Sequence, residues 1–170
     1  GTRFQVNLDS SNATASGVET ARFLIAPNRG EEMQPLSRIA SGGELSRLML
    51  AIKSVAAKRE GIPSMLFDEI DTGVSGRMAQ VVGEKMCMIA CNRQVLCVTH
   101  LPQLAAMADT HFSVEKGEQG GRTYTKVVQL DEEARKAELA RITGGNHVTD
   151  ALLQSAGELL HQAAAYRAGL

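Results

Sequence analysis

Asp68 and Glu69 stand side by side after Ser64-Met65-Leu66-Phe67, with Asp71 two residues on and Gly73 closing the run. Adjacent carboxylates repel, and a core strand gains nothing from them. Either a cation or a reacting group sits nearby, or the pair opens a solvated loop. An Asp that holds magnesium beside a Glu that takes a proton from water satisfies the first case. His100 ends a second apolar run, Gln94-Val95-Leu96-Cys97-Val98-Thr99. If both runs are strands of one parallel sheet, Asp68, Glu69 and His100 share its carboxyl edge, where open α/β sheets bind ligands. A magnesium ligand, a base and an imidazole on one edge make a phosphoryl-transfer arrangement. Taken singly, His100 also reads as a structural histidine and Asp71 as the cap of a turn.

Ser41-Gly42-Gly43-Glu44 is the third candidate. Ser41 followed by Glu44 is a capping box. The same four residues suit an anion, because two glycines let backbone approach a phosphate and the free N–H groups of a helix start point at it. Cys87, Cys91, Cys97 and His100 do not make a convincing zinc set. The first two fall on an expected helix and Cys97 in a strand, so the thiols read as small apolar residues. Asp68, Asp71 and Gly73 lack the spacing and the closing glutamate of a calcium loop.

The elements that must hold these residues follow from periodicity. Arg3–Leu8 alternates Phe4, Val6 and Leu8 with polar residues, and Thr20–Ala26 is a second strand, so an antiparallel edge hairpin is expected with Ser10–Gly17 as its turn-rich link. The segment 27–35 reads as a loop. From Ser41 a helix should run to about Gly61, with Leu45, Leu48, Met49, Ile52, Val55 and Ala56 inward. Ser64–Phe67 reads as a buried parallel strand. Ser75 should cap a helix with Met78, Val81, Val82 and Ile89 inward, and Pro102 a short helix to about Met107. A hairpin is expected around residues 117–121. Asp131 should cap a helix to about Ile142, and a last helix should begin at Thr149 or Asp150. Strand, helix, strand, helix in the middle favours parallel pairing with right-handed crossovers.

The totals restrict the function classes. With 170 residues, 44% hydrophobic and 22% charged, the chain suits one globular domain. A net charge of −1 is not the footprint of a stand-alone nucleic-acid binder. Three cysteines form no framework, which fits reduced thiols. No apolar run is long enough to span a membrane. The first residue is Gly, so a piece of something longer is expected.

Together the motifs resemble the head of the SMC-like branch of the ABC-type ATPases. Ser41-Gly42-Gly43-Glu44-Leu45 is similar to the signature motif, Met65 to Glu69 to Walker B with its catalytic glutamate, Ile70-Asp71 to the D-loop, and His100 to the switch histidine. Residues 39–47, Phe67 to Gly76 and Val98 to Gln103 resemble the RecN-type DNA repair proteins in particular. The likeness runs from Pro27 to the C-terminus. The sequence contains no Gly-x-x-x-x-Gly-Lys-Ser/Thr loop, no Q-loop before the signature and no heptads.

The resemblance therefore implies the C-terminal half of such a head. The fold would be α/β, a mostly parallel sheet with flanking helices plus edge antiparallel hairpins. Residues 1–170 would form a single lobe: strands 1–26 at its entry from a coiled coil, a core over 27–130, and C-terminal helices over 131–170. Glu69 and His100 would be catalytic and Asp68 would hold Mg2+. Ser41, Gly42, Gly43, Glu44 and Asp71 would contact ATP, the signature doing so across a dimer of heads. The implied partners are an N-terminal lobe carrying Walker A, a second head, and DNA through the full-length protein. The implied setting is DNA double-strand-break repair and recombination in the cytoplasm, at the nucleoid and away from membranes. Alone, the chain would not hydrolyse ATP. Two other readings stay open: a non-catalytic interaction lobe that docks on a nucleotide-binding partner, and an unrelated magnesium-dependent phosphohydrolase.

Overall fold

The structure is a computed structural model that describes residues 2–38, 42–56, 61–119 and 121–170. It divides into two compact units, Gly1–Leu45 and Ser46–Leu170.

The first unit is built on a hairpin of β1 (Arg3–Thr14) and β2 (Gly17–Ala26), with β3 (Gln34–Pro35) paired antiparallel to β2 and a 3-10 turn over Leu36–Arg38. The register sets Phe4 opposite Ile25 and Val6 opposite Phe23. Alternation therefore gathers the apolar side chains on one face, where the rings of Phe4 and Phe23 stack at 5.9 Å. The expected turn over Ser10–Gly17 is mostly strand, because pairing continues past an irregularity between Ser10 and Thr14 to a tight link before Gly17. The expected loop over 27–35 contains β3.

In the second unit, β4 (Ser64–Phe67) and β5 (Gln94–Cys97) pair in parallel, Phe67 opposite Cys97, joined by α2 (Gly76–Ala90). Met65 and Phe67 pack with Leu50, Ile70, Val74, Ala79, Val82, Met86, Ile89 and Leu104. Leu50 comes from α1 (Gly42–Ala56). The strand is not buried on both faces, as its apolar run suggested: Leu66 is 70% exposed, and Leu96 and Val98 are exposed with it.

The helix faces also differ from expectation. Among the described side chains of α1 the buried hydrophobic one is Leu50, while Leu45, Met49 and Val55 are exposed. On α2, Met78 and Val81 face solvent, and Ala79, Val82, Gly83, Met86, Cys87 and Ile89 are inside. Small residues decide that face. A Cβ on Gly83 would come within 2.9 Å of Met107 Cγ, so glycine lets α2 approach the end of α3 (Pro102–Ala106). Ser75 stands at the N-cap of α2 in extended conformation without a side-chain cap bond.

A hairpin of β6 (Phe112–Gln119) and β7 (Arg122–Gln129) follows. Then come α4 (Glu132–Gly144) and α5 (Asp150–Ala168). Asp131 accepts from the N–H of Ala134 at 2.8 Å and Thr149 from that of Leu152 at 3.3 Å, the reciprocal of the orphan donors at each helix start. Leu139, Ala140, Ala156 and Ala163 of these helices close a second core with Cys87 and Ala105–Met107. Arg135 donates to the carbonyls of Ala108 (2.6 Å) and Ala106 (3.4 Å), and Arg167 to that of Ala106 (3.1 Å), so two guanidinium groups cap the end of α3.

His111 lies half-buried near Arg135. Burial holds its ring below the ordinary histidine value, the charge of Arg135 adds to this, and Glu138 opposes it. The unfolded chain thus takes up the proton more readily, and stability present above a pH of about 6.5 is lost as pH falls toward the folded value. Urea midpoints measured at neutral and mildly acidic pH should drop on acidification, and His111→Gln should flatten that drop.

Candidate functional site

The carboxyl ends of β4 and β5 form the candidate site. The ladder continues one step past the strands, Val98 N–H donating to Phe67 O at 3.0 Å. The chain then leaves β4 through Asp68 and Glu69 and leaves β5 through Thr99 and His100. Asp68, Glu69 and His100 are all exposed there, the imidazole at 74%. The structure thus brings the two acids and the histidine to one sheet end.

The turn after β4 is held from several sides. Asp68 Oδ1 accepts the N–H of Glu69 at 2.9 Å. Thr72 N–H reaches Glu69 O at 3.2 Å and Val74 N–H reaches Asp71 O at 3.0 Å. Ile70 is fully buried beneath them. From α1, Ser46 Oγ donates to Asp68 O at 3.2 Å, and Arg47 Nη1 donates to Thr72 O at 2.6 Å and Ile70 O at 3.4 Å. Held this way, Glu69 has φ of 57°, the only non-glycine residue with positive φ among the described residues. Such strain persists where the surroundings over-determine it, and it clusters at functional sites.

Asp71 does not face outward. It is 4% exposed, and its Oδ2 accepts from Thr99 Oγ1 at 2.6 Å and from the backbone N–H of His100 at 2.8 Å. Burial works to raise the carboxyl, but the bonds from Thr99 and His100 and the charge of His100 outweigh it and hold Asp71 below the usual carboxylate value. Cys97, the last residue of β5, shows the same field from behind. Burial, with the charges of Asp71 and Asp68 adding to it, pushes its thiol up to about 12.

Among the described residues no three His, Cys, Asp or Glu side chains cluster as a ready-made metal cage. Magnesium needs no such cage, since it keeps several waters and takes one or two carboxylates plus phosphate oxygens. Asp68 is an exposed carboxylate at a strand end. Gly42 and Gly43 form the first residues of α1. Ser41 and the side chain of Glu44 lie outside the described residues. Sequence reasoning passed over Ser46, Arg47 and Thr99. The first two stand in the expected helix as ordinary polar residues, and only the neighbour of His100 gave Thr99 any signal.

No family model matches the chain. Among curated proteins, the DNA repair protein RecN of Bacillus subtilis (strain 168) is 49% identical over 158 residues, 93% of this chain and 27% of that protein. RecN of Vibrio cholerae is 43% identical over 158 residues, again 93% of this chain and 28% of the relative. The chain is of the RecN type. It spans just over a quarter of the length of these curated relatives.

Solved structures give the fold of this RecN-type chain. The Smc head domain with a coiled coil and joint from Pyrococcus yayanosii superposes with a TM-score of 0.64 at 22% identity, covering 84% of this chain and 26% of that one. A chain from work on ATP-driven dimerization and DNA-stimulated activation of SMC ATPases gives 0.54 at 23% identity, covering 85% and 84%. The fold is that of an SMC ATPase head, with the parallel pair β4–β5 and antiparallel hairpins. No helix among the described residues is long and apolar enough to cross a membrane.

The backbone of Glu69 makes its own prediction. Glycine accepts positive φ without a Cβ clash, so Glu69→Gly should stabilise the RecN-type chain by about 1 kcal/mol in chemical denaturation. A loss of stability would mean that the carboxylate, not the backbone, holds this turn.

Proposed function

We propose that this chain is the C-terminal half of an ATP-hydrolysing, SMC-like head that acts in DNA double-strand-break repair and recombination. The observation that carries this reading is the meeting of exposed Asp68, Glu69 and His100 at one end of the parallel pair β4–β5. Phosphoryl transfer asks the protein mainly for positioning and charge neutralisation, and this edge offers an acid for each task and an imidazole.

In this reading Asp68 holds Mg2+, which neutralises charge on the phosphates when bound. Glu69 orients or deprotonates the attacking water. His100 contacts the γ-phosphate. Ser41, Gly42, Gly43 and Glu44 meet the nucleotide held by a second head, their glycines and the helix start at Gly42 suiting a phosphate. Asp71, assigned to the nucleotide by its likeness to the D-loop, acts from the buried side of the site instead.

The missing phosphate loop belongs, in this proposal, to an N-terminal lobe. The exposed face of Leu66, Leu96 and Val98 suits such a partner, because a parallel sheet is normally covered on both faces. Both compact units belong to one C-terminal lobe, with strands β1 and β2 at its entry from a coiled coil. DNA is engaged by the full-length protein, in the cytoplasm at the nucleoid. The RecN name of the relatives and the SMC-head fold support this setting.

The same exposed face supports a second reading, a lobe that docks on a nucleotide-binding partner without catalysing anything. Mixing the chain with a Walker A-bearing half separates the two. Hydrolysis should be negligible for the chain alone and should appear on mixing; none on mixing favours the docking lobe. In a full-length protein carrying this segment, Glu69→Gln should keep ATP binding and lower turnover by about 100-fold or more. Unchanged turnover removes Glu69 from the role of base. Ser41→Arg should abolish ATP-dependent dimers in size-exclusion chromatography while leaving the melting temperature near that of the parent; normal dimers would refute the contact across heads.

A further inference from the structure

One oxygen of Asp71 accepts two hydrogen bonds and also lies against the ring of His100. Besides Thr99 Oγ1 and the backbone N–H of His100, Oδ2 lies 3.1 Å from His100 Nδ1. The carboxylate is buried and the imidazole is mostly in solvent. Thr99 Oγ1 in turn accepts the N–H of Leu101 at 3.0 Å, the residue that precedes α3. Three consecutive residues after β5 are thus tied, directly or through Thr99, to a single side chain in the turn after β4.

This approach biases the chemistry of the ring. A carboxylate accepts hydrogens only, so it favours a hydrogen on Nδ1 and leaves Nε2 for a ligand. A neutral ring held in this way offers a lone pair at Nε2. A ring that bridges Asp71 and a phosphate oxygen carries hydrogen on both nitrogens, and both bonds are then charge-assisted.

We propose that Asp71 is the positioning residue of His100, keeping a hydrogen on Nδ1 and turning Nε2, which carries its own hydrogen when it meets a phosphate oxygen, toward the anionic group of the nucleotide. The inference rests on the phosphoryl-transfer reading of the site and adds to it how the imidazole is made ready. Asp71 touches neither nucleotide nor water in this scheme; it acts through His100, with Thr99 as the brace that keeps the carboxylate in place.

Two experiments test it. Long-range 1H–15N NMR on the histidine-labelled 170-residue chain, at a pH where the ring is neutral and with His100→Gln for assignment, should show Nδ1 protonated and Nε2 bare. This needs no Asp71 variant to fold. Asp71→Asn should shift the ring toward the opposite tautomer, since an amide can present N–H groups to Nδ1. A parent ring protonated on Nε2, or a tautomer indifferent to Asp71→Asn, overturns the proposal.

The second experiment uses a full-length protein carrying this segment. Asp71→Asn should lower kcat by about 10- to 100-fold, the usual effect of losing an orienting partner, with ATP affinity retained. On a His100→Ala background the same substitution should cost little more, because its target is gone. Losses that multiply mean a purely structural role and overturn the proposal. Glu69→Gln in the same assay reports separately on the phosphoryl-transfer reading. If Glu69→Gln leaves turnover unchanged, that reading fails while the NMR result still decides the tautomer.

Discussion

A buried carboxylate that joins two strand ends is the constraint on which the site depends. β4 and β5 are short, four residues each, and their ladder supplies few bonds. Beyond Phe67 and Val98 the two chains would be free to separate. Asp71 prevents this by reaching across from one exit to the other, to Thr99 and His100. A buried carboxylate is costly unless its lone pairs are used, and here one oxygen accepts two hydrogen bonds with an imidazole 3.1 Å away. The same bonds that satisfy Asp71 therefore bring the two exits together, so the acid pair and the imidazole share one end.

Around that link the molecule repeatedly captures backbone carbonyls with side-chain donors. Ser46 and Arg47 hold the carbonyls of Asp68, Ile70 and Thr72. Arg135 and Arg167 hold those of Ala106 and Ala108. Each capture fixes an irregular segment to a regular helix, which lets turns without ladders of their own keep one conformation. Glu69 can stay in the left-handed region because its neighbours on both sides are pinned.

Much of this was legible in the chain. The acid pair, the strand before it, the strand before His100 and their parallel pairing followed from short apolar runs between Gly and Pro signals. The caps at Asp131 and Thr149 followed from residue type alone. What failed had physical causes. Large apolar side chains point the face of α2 toward Met78 and Val81, whereas close packing on Met107 selects glycine at position 83 and Ala79 enters the core. Leu45, Met49 and Val55 suggested an inward face on α1 that the described chain leaves in solvent. Residues 10–14 looked like turn because Ser, Asn and Ala disfavour strand, yet pairing with the opposite strand overrode local preference. The buried role of Asp71 is hidden because its two donors lie 28 and 29 residues away, a separation that no local pattern encodes.

The clasp on α3 has a further consequence for how the chain is made. Arg167 donates to the carbonyl of Ala106 across 61 residues. During synthesis the segment after His100 therefore leaves the ribosome long before its last brace exists. Contacts that distant delay completion of structure, and apolar surface stays open in the interval. The helix α3 and the residues leading into it should thus be the part most dependent on chaperones in a nascent chain, and the last to become resistant to proteases.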